Sequence, residues 1–311
     1  MSTEREDWLA KRRRGIGASE AAAIFGLSSY TSPLQLYHEK IGTLPQSAAQ
    51  TEAQKWGKLL EPAIIEGYAE ETHRIVTRMD EYTIVQHPEH PWMLATLDAR
   101  VLEWVPTELF AGEDAGRFPG PGALEVKNAT FFKREDWKRE PPLAFQIQLQ
   151  HQLACAGLRW GSIAGLIGGM QFVWTDVPRD DEFCKMLVDA ERVFWQSVEE
   201  RREPEADASE KTKELLKRLY PRDVGTIIEL PPVADEVDAL RQHAIAQLDK
   251  WGERRTQAEN RLRQLLGDAT MGTLRNGVAY TLKTISRRGY EVKPTSYRLL
   301  GRRGPKGEIG E

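Results

Sequence analysis

Residues 94–103 read LATLDARVLE and residues 123–129 read ALEVKNA. Both stretches alternate in character, the pattern of a strand with two unlike faces. In the first, Ala95, Leu97, Ala99 and Val101 share one face, while Leu94, Thr96, Asp98 and Arg100 share the other. In the second, Leu124 and Val126 point one way and Glu125 and Lys127 the opposite way. If the two strands are neighbours, Asp98, Glu125 and Lys127 converge. Carboxylates held within a few ångströms repel, so at neutral pH they call for a cation between them. Oxygen ligands of this kind suit Mg²⁺ or Mn²⁺ rather than zinc. A lysine beside them can hold and deprotonate an attacking water, or stabilise a negative transition state.

The flanking sequence extends this core. Residues 56–72 (WGKLLEPAIIEGYAEET) predict a helix with Leu60, Ile64 and Tyr68 one turn apart. Glu61 sits at the edge of that apolar stripe, where a carboxylate is costly unless paired or metal-bound. Pairing with Lys58 is its plainer reading. Residues 75–86 predict a strand. QIQLQHQL, within 143–157, alternates with period two, but its length and the following ACAG favour a helix. SIAGLIGG and QFVW predict further strands. The order of helices and strands gives a mixed α/β (α+β) core. Singly, each acid has an ordinary reading: Glu-x-Lys on a strand usually faces solvent, and Asp98 could be an edge-strand charge.

Residues 201–230 are polar and interrupted by Pro204 and Pro221, which predicts a connector with a short helix. From Pro231 to Gly267 the pattern is helical. Val233, Val237, Leu240, Ala244, Leu248, Trp251, Ala258, Leu262 and Leu265 recur at spacings of three, four and seven. Two or three short strands are expected after it. The expected organisation is 1–200 as one domain, 201–230 as connector, and 231–311 as the long helix with a small β segment.

The chain has 311 residues, 40% of them apolar and 29% charged, with a formal charge of −4. That balance excludes a general basic coat, so nucleic-acid contact must use local patches. One is Lys11 to Arg14; another is the stretch from Arg275 to Glu311, with nine bases against three acids. Two cysteines, Cys155 and Cys184, cannot supply a four-cysteine cluster or a disulfide framework. No apolar run approaches the roughly 20 residues of a membrane helix, and residues 2–15 lack the apolar stretch of a secretory signal.

Residues 12–41 (RRRGIGASEAAAIFGLSSYTSPLQLYHEKI), with WGKLLEP, ATLDARV, LEVK, QIQLQHQLACAG and AGLIGG in the same order, resemble the YqaJ-type viral recombinase nucleases. These are relatives of phage lambda exonuclease in the PD-(D/E)xK nuclease superfamily. The likeness covers roughly residues 8–175, and the long helix and closing PTSYRLL extend it. It implies a restriction-endonuclease-like core: a mixed central sheet flanked by helices. It also implies Asp98, Glu125 and the Val126 carbonyl as Mg²⁺ ligands (Mn²⁺ as substitute), supported by Glu61. Lys127 would orient or activate water, and Gln148 would sit beside the site. Arg12 and Ser19 would grip the 5′-phosphate, a task suited to a guanidinium and a hydroxyl; for Ser19 the competing reading is a helix N-cap. The sequence departs from the family in Ala99, Ala18 and Glu20, without losing a catalytic group.

The activity implied is 5′→3′ digestion of linear double-stranded DNA, leaving 3′ tails for a single-strand annealing protein. A homotrimer and the cytoplasm of a bacterial host, with a phage or prophage origin, are implied too. Two rivals stay open: an endonuclease built on the same residues, and a non-catalytic DNA-binding scaffold.

Overall fold

A computed structural model describes residues 2–44, 51–104, 118, 120–223 and 225–285. It divides into two compact units, Met1–Leu219 and Tyr220–Glu311.

The first unit opens with α1 (Ser2–Arg12), β1 (Ile16–Gly17), α2 (Ala18–Ile24), α3 (Pro33–Lys40) and α4 (Glu52–Thr72). Helix α4 starts four residues before the predicted position. Thr51 caps it: its hydroxyl accepts from Gln54 N–H, and the Gln54 side chain accepts from Thr51 N–H. His73 ends it in the left-handed region at φ 54°. Strands β2 (Arg74–Arg78), β3 (Val85–Gln86), β4 (Met93–Ala95), β5 (Ala99–Trp104) and β6 (Gly122–Ala129) follow. Helix α5 (Leu143–Ala156) leads to β7 (Trp160–Ile167), β8 (Gln171–Pro178), α6 (Asp181–Glu199) and α7 (Glu210–Leu219).

Five strands form the main sheet in the order β2-β5-β6-β7-β8. All neighbours are antiparallel except β6 and β7. A parallel pair needs a crossover, and α5 supplies it. Helix α4 covers one face, packing Ile64, Ile65 and Tyr68 on Ala99, Val101, Leu124 and Ala164. Helix α5 covers the other, packing Leu149 and Leu153 on Leu97, Ala123 and Ile163. The class is therefore the mixed α/β core expected, with a central sheet flanked by helices. Strand β6 is central and covered on both faces, so Glu125 is buried rather than solvent-facing.

Two predicted strands are corrected. LATLDARVLE is not one strand: β4 pairs with β1 and β3 in a separate three-stranded sheet, and β5 pairs with β2 and β6. Alternation persists across the break, which is why the sequence pattern looks continuous. The stretch 75–86 is likewise broken, into β2 and β3. QIQLQHQL is helical, as its length suggested, because its alternating residues are wanted on several sides of a buried helix: Leu149, Gln150, His151, Gln152 and Leu153 are all buried.

In the second unit, α8 (Val233–Leu266) stops at Gly267 and a hairpin of β9 (Met271–Thr273) and β10 (Ala279–Thr281) follows. The expected later strand, the basic residues from Arg287 onward and nearly all of the loop between the acidic strands lie outside the described residues.

Candidate active site

Asp98 stands at the switch between the two sheets, immediately before β5. Pairing of Ala99 with Leu124 brings it beside β6. Its Oδ2 accepts the Val126 N–H at 2.8 Å. Burial pushes the Asp98 carboxyl well above its ordinary range, and the Glu125 charge pushes the same way; Lys127 opposes both. Glu125 is 2% exposed. Its Oε1 accepts from Lys127 Nζ and, at 2.7 Å, from Gln148 Nε2. Its Oε2 accepts from Gln152 Nε2 at 2.6 Å. Lys127 also donates to Gln148 Oε1 at 3.0 Å. Burial disfavours the Lys127 ammonium, but Glu125 and Asp98 outweigh it and its pKa is raised. Lys127 therefore stays charged at neutral pH.

The structure thus brings together Asp98, Glu125, Val126, Lys127 and Gln148. Glu61 lies close enough to raise Asp98 electrostatically. Its partner is Arg78 Nε at 3.2 Å, not Lys58, which pairs with Glu81.

Gln152 is the residue that sequence reasoning missed. Its Nε2 donates to Glu125 and also, at 3.1 Å, to the Thr96 carbonyl. It ties the acid of β6 to the segment that carries Asp98. The signal was present: Gln148 and Gln152 are one helical turn apart, and a buried helix face bearing two amides needs polar partners.

Behind Gln152, His151 is fully buried, with Nδ1 2.7 Å from Glu191 Oε1 and Nε2 3.1 Å from the Leu94 carbonyl. Burial disfavours the imidazolium, but Glu191 wins and the pKa rises well above the usual histidine range. A charged His151 donates from both nitrogens and locks β4 against α5 and α6.

Arg12 and Ser19 also meet, at 3.1 Å between Nη2 and Oγ. Arg12 contacts Glu20 at 3.1 Å and lies over the Trp8 ring. Burial raises the Glu20 carboxyl, yet Lys40 and Arg12 together hold it below its ordinary value. Its Oε2 accepts the Gly17 N–H at 2.7 Å. Gly17 is the cap of α2, so the N-cap reading of Ser19 fails: Ser19 lies one residue inside the helix. Gly15 permits this placement, because a Cβ there would stand 2.4 Å from the Trp92 carbonyl oxygen. That close approach lets β1 run beside β4. Arg12, Ser19, Thr96 and Gln148 line one cleft, and Gln148, through its bonds to Glu125 and Lys127, connects that cleft to the acidic group.

Among the described residues, no group of three or more His, Cys, Asp or Glu side chains stands poised to cage an ion. Mg²⁺ does not require one; it is commonly held by one or two carboxylates together with waters and substrate phosphate. The half-buried Asp98 and the buried Glu125 share one ammonium, so the donor set fits a hard divalent cation.

The YqaJ-like viral recombinase domain matches residues 7–159. The protein YqaJ of Bacillus subtilis (strain 168) is 31% identical over 291 residues, 91% of this chain and 85% of that protein. The chain belongs to the YqaJ-like viral recombinase family. Among solved structures, the alkaline exonuclease LHK-Exo of Laribacter hongkongensis aligns with TM-score 0.45 and 20% identity, covering 70% of this chain and 98% of that one. A phage-related exonuclease from Haemophilus somnus 129PT aligns with TM-score 0.38 and 11% identity, covering 60% and 96%. No described helix is long and apolar enough to cross a membrane.

Proposed function

We propose that the protein is a divalent-metal-dependent DNA exonuclease that hydrolyses linear duplex from 5′-phosphorylated ends. It would leave 3′ single strands for an annealing partner. The observation that carries this reading is the convergence of Asp98, Glu125, Lys127 and Gln148, with Gln148 also lining the cleft of Arg12 and Ser19. Membership of a viral recombinase family supports the DNA substrate.

Asp98, Glu125 and the Val126 carbonyl would hold Mg²⁺ or Mn²⁺, with Glu61 nearby. When bound, the ion supplies positive charge against phosphate oxygens and makes nearby water more acidic. The chain's own groups do the rest. Gln148 and Gln152 fix the Glu125 carboxylate, so its orientation costs little during reaction. Lys127 presents an ammonium beside Glu125, where it orients the attacking water or steadies charge on the phosphoryl oxygens. Arg12 and Ser19 hold the terminal phosphate through charge-assisted hydrogen bonds. The freshly exposed 5′-phosphate suits the same pair, which favours successive cuts. A homotrimer enclosing the duplex belongs to this reading, as does a cytoplasmic setting.

The test is digestion of 5′-phosphorylated linear duplex against covalently closed circular duplex, with Mg²⁺ or with chelator. Mg²⁺-dependent loss of the linear form alone is expected. Cutting of the circle would favour the endonuclease, and binding without cutting would favour the scaffold.

A further inference from the structure

Lys40, the last residue of α3, is a cation withdrawn from solvent: its side chain is 3% exposed. Its ammonium donates to Glu20 Oε2 at 2.6 Å and to the Arg12 carbonyl at 3.0 Å. A buried ammonium persists only with partners of this kind, and both of these bear on Arg12. Glu20, on α2, turns both oxygens to the same neighbourhood. Oε1 accepts from Arg12 Nη2 at 3.1 Å; Oε2 accepts the Gly17 N–H at 2.7 Å as well as Lys40. Arg12, Gly17 and Ser19 line the cleft, whereas Glu20 and Lys40 stand behind them.

The guanidinium is seated from two further sides. Its central carbon lies 4.8 Å from the centre of the Trp8 ring. Gly17 lies against it, since a Cβ there would stand 2.8 Å from Nη2 and 3.2 Å from Nε. Among the described residues, its side-chain bonds to Ser19 and Glu20 both run through Nη2, which leaves Nη1 and Nε to a ligand. Taken alone, Arg12 and Glu20 are a neutral pair with little attraction for a phosphate. Lys40 changes that sum. Two cations and one anion leave one positive charge, and Arg12 is the cation that meets the cleft.

Building on the reading that Arg12 holds a 5′-phosphate, we propose that Glu20 and Lys40 are positioning residues for that phosphate. Glu20 anchors the Arg12 guanidinium over Gly17, and Lys40 neutralises Glu20 so that Arg12 keeps its charge for the ligand. End selectivity then depends on a lysine that touches no substrate.

The experiment measures kcat and KM of the full chain, with Mg²⁺, on linear duplex with 5′-phosphorylated or 5′-hydroxyl ends. Wild type and Arg12→Ala set the scale of end preference. Lys40→Met leaves Arg12 and Glu20 as a neutral pair and should lower the preference about 10-fold, through KM on phosphorylated ends. Lys40→Met combined with Glu20→Gln removes both hidden charges, returns the net positive charge to Arg12, and should bring most of the preference back. A pair needed only for folding gives no such rescue. Gly17→Ala moves the guanidinium without changing any charge. Gly17 has φ −77°, which alanine adopts freely, so the clash falls on the flexible end of Arg12, and the preference should fall again. Full preference in Lys40→Met or in Gly17→Ala would overturn the proposal. No recovery in the double variant, or equal loss on both kinds of end, would mean a structural role and overturn it too. A wild type without end preference, or an Arg12→Ala that keeps it, would instead defeat the reading of Arg12, and this proposal with it.

Discussion

Replacing Asp98 by Asn leaves the shape of the side chain and an acceptor for the Val126 N–H, and removes one of two neighbouring carboxyl groups. Asp98 is raised because burial and Glu125 both disfavour its ionised form. A carboxyl whose folded pKa exceeds its unfolded value of about 3.9 stabilises the fold only when protonated. Its contribution is complete below that unfolded value and is lost as pH rises through the folded one. Each tenfold rise in folded-state proton affinity corresponds to about 1.4 kcal/mol of stability forfeited at high pH. Metal-free wild type should therefore weaken as pH climbs out of the acid range, and Asp98→Asn should be spared that loss. Urea unfolding in chelator at about pH 5 and about pH 8 reads the difference. The variant should gain on wild type at the higher pH. Mg²⁺ should reverse the order by stabilising wild type alone, by about 2.7 kcal/mol at a hundredfold excess over Kd. A variant no better than wild type at the higher pH, or equally stabilised by Mg²⁺, would refute the reasoning.

Gln152→Leu removes a charge-assisted bond to Glu125 and a neutral one to Thr96; together these predict about 2–4 kcal/mol of destabilisation in urea unfolding, with kcat lowered more than KM. Arg12→Ala should erase the preference for 5′-phosphorylated over 5′-hydroxyl ends, a loss of about 10- to 100-fold in kcat/KM on phosphorylated duplex alone. Glu191→Gln unpairs the buried His151 imidazolium. That pair, with a raised histidine pKa, contributes fully below about pH 6.5 and fades as pH rises through the folded value. The variant's deficit, about 3–5 kcal/mol, should be largest near pH 6 and shrink toward pH 9 in denaturant titrations.

Much of the core was legible in the sequence because strand alternation and helical spacing report burial directly. Leu97, Ala99 and Val101 are buried, but the single face read for them is divided, Leu97 packing under α5 and Ala99 and Val101 under α4, while Glu125 and Lys127 meet on one side of β6 as the period of two requires. Tertiary choices were not legible. The handover of residues 94–103 from one sheet to another leaves the period of two intact, so it is invisible in the pattern, yet it places Asp98. Gln152 and the His151–Glu191 pair were hidden for a related reason: their partners lie 27 and 40 positions away, and polar residues on a buried helix reveal their purpose only when the facing strand is known. Ser19 was read by a local capping rule, but the helix begins earlier, with Gly17 at the cap two residues before it.

The central claim is that Asp98, Glu125 and Lys127 form one hydrolytic centre. Its most direct test is digestion of end-labelled linear duplex with Mg²⁺ by wild type, Glu125→Gln and Lys127→Met, each first checked for duplex binding. Release of nucleotides by wild type, with both variants binding but failing to cut, is the expected result; undiminished cutting by either variant would contradict it.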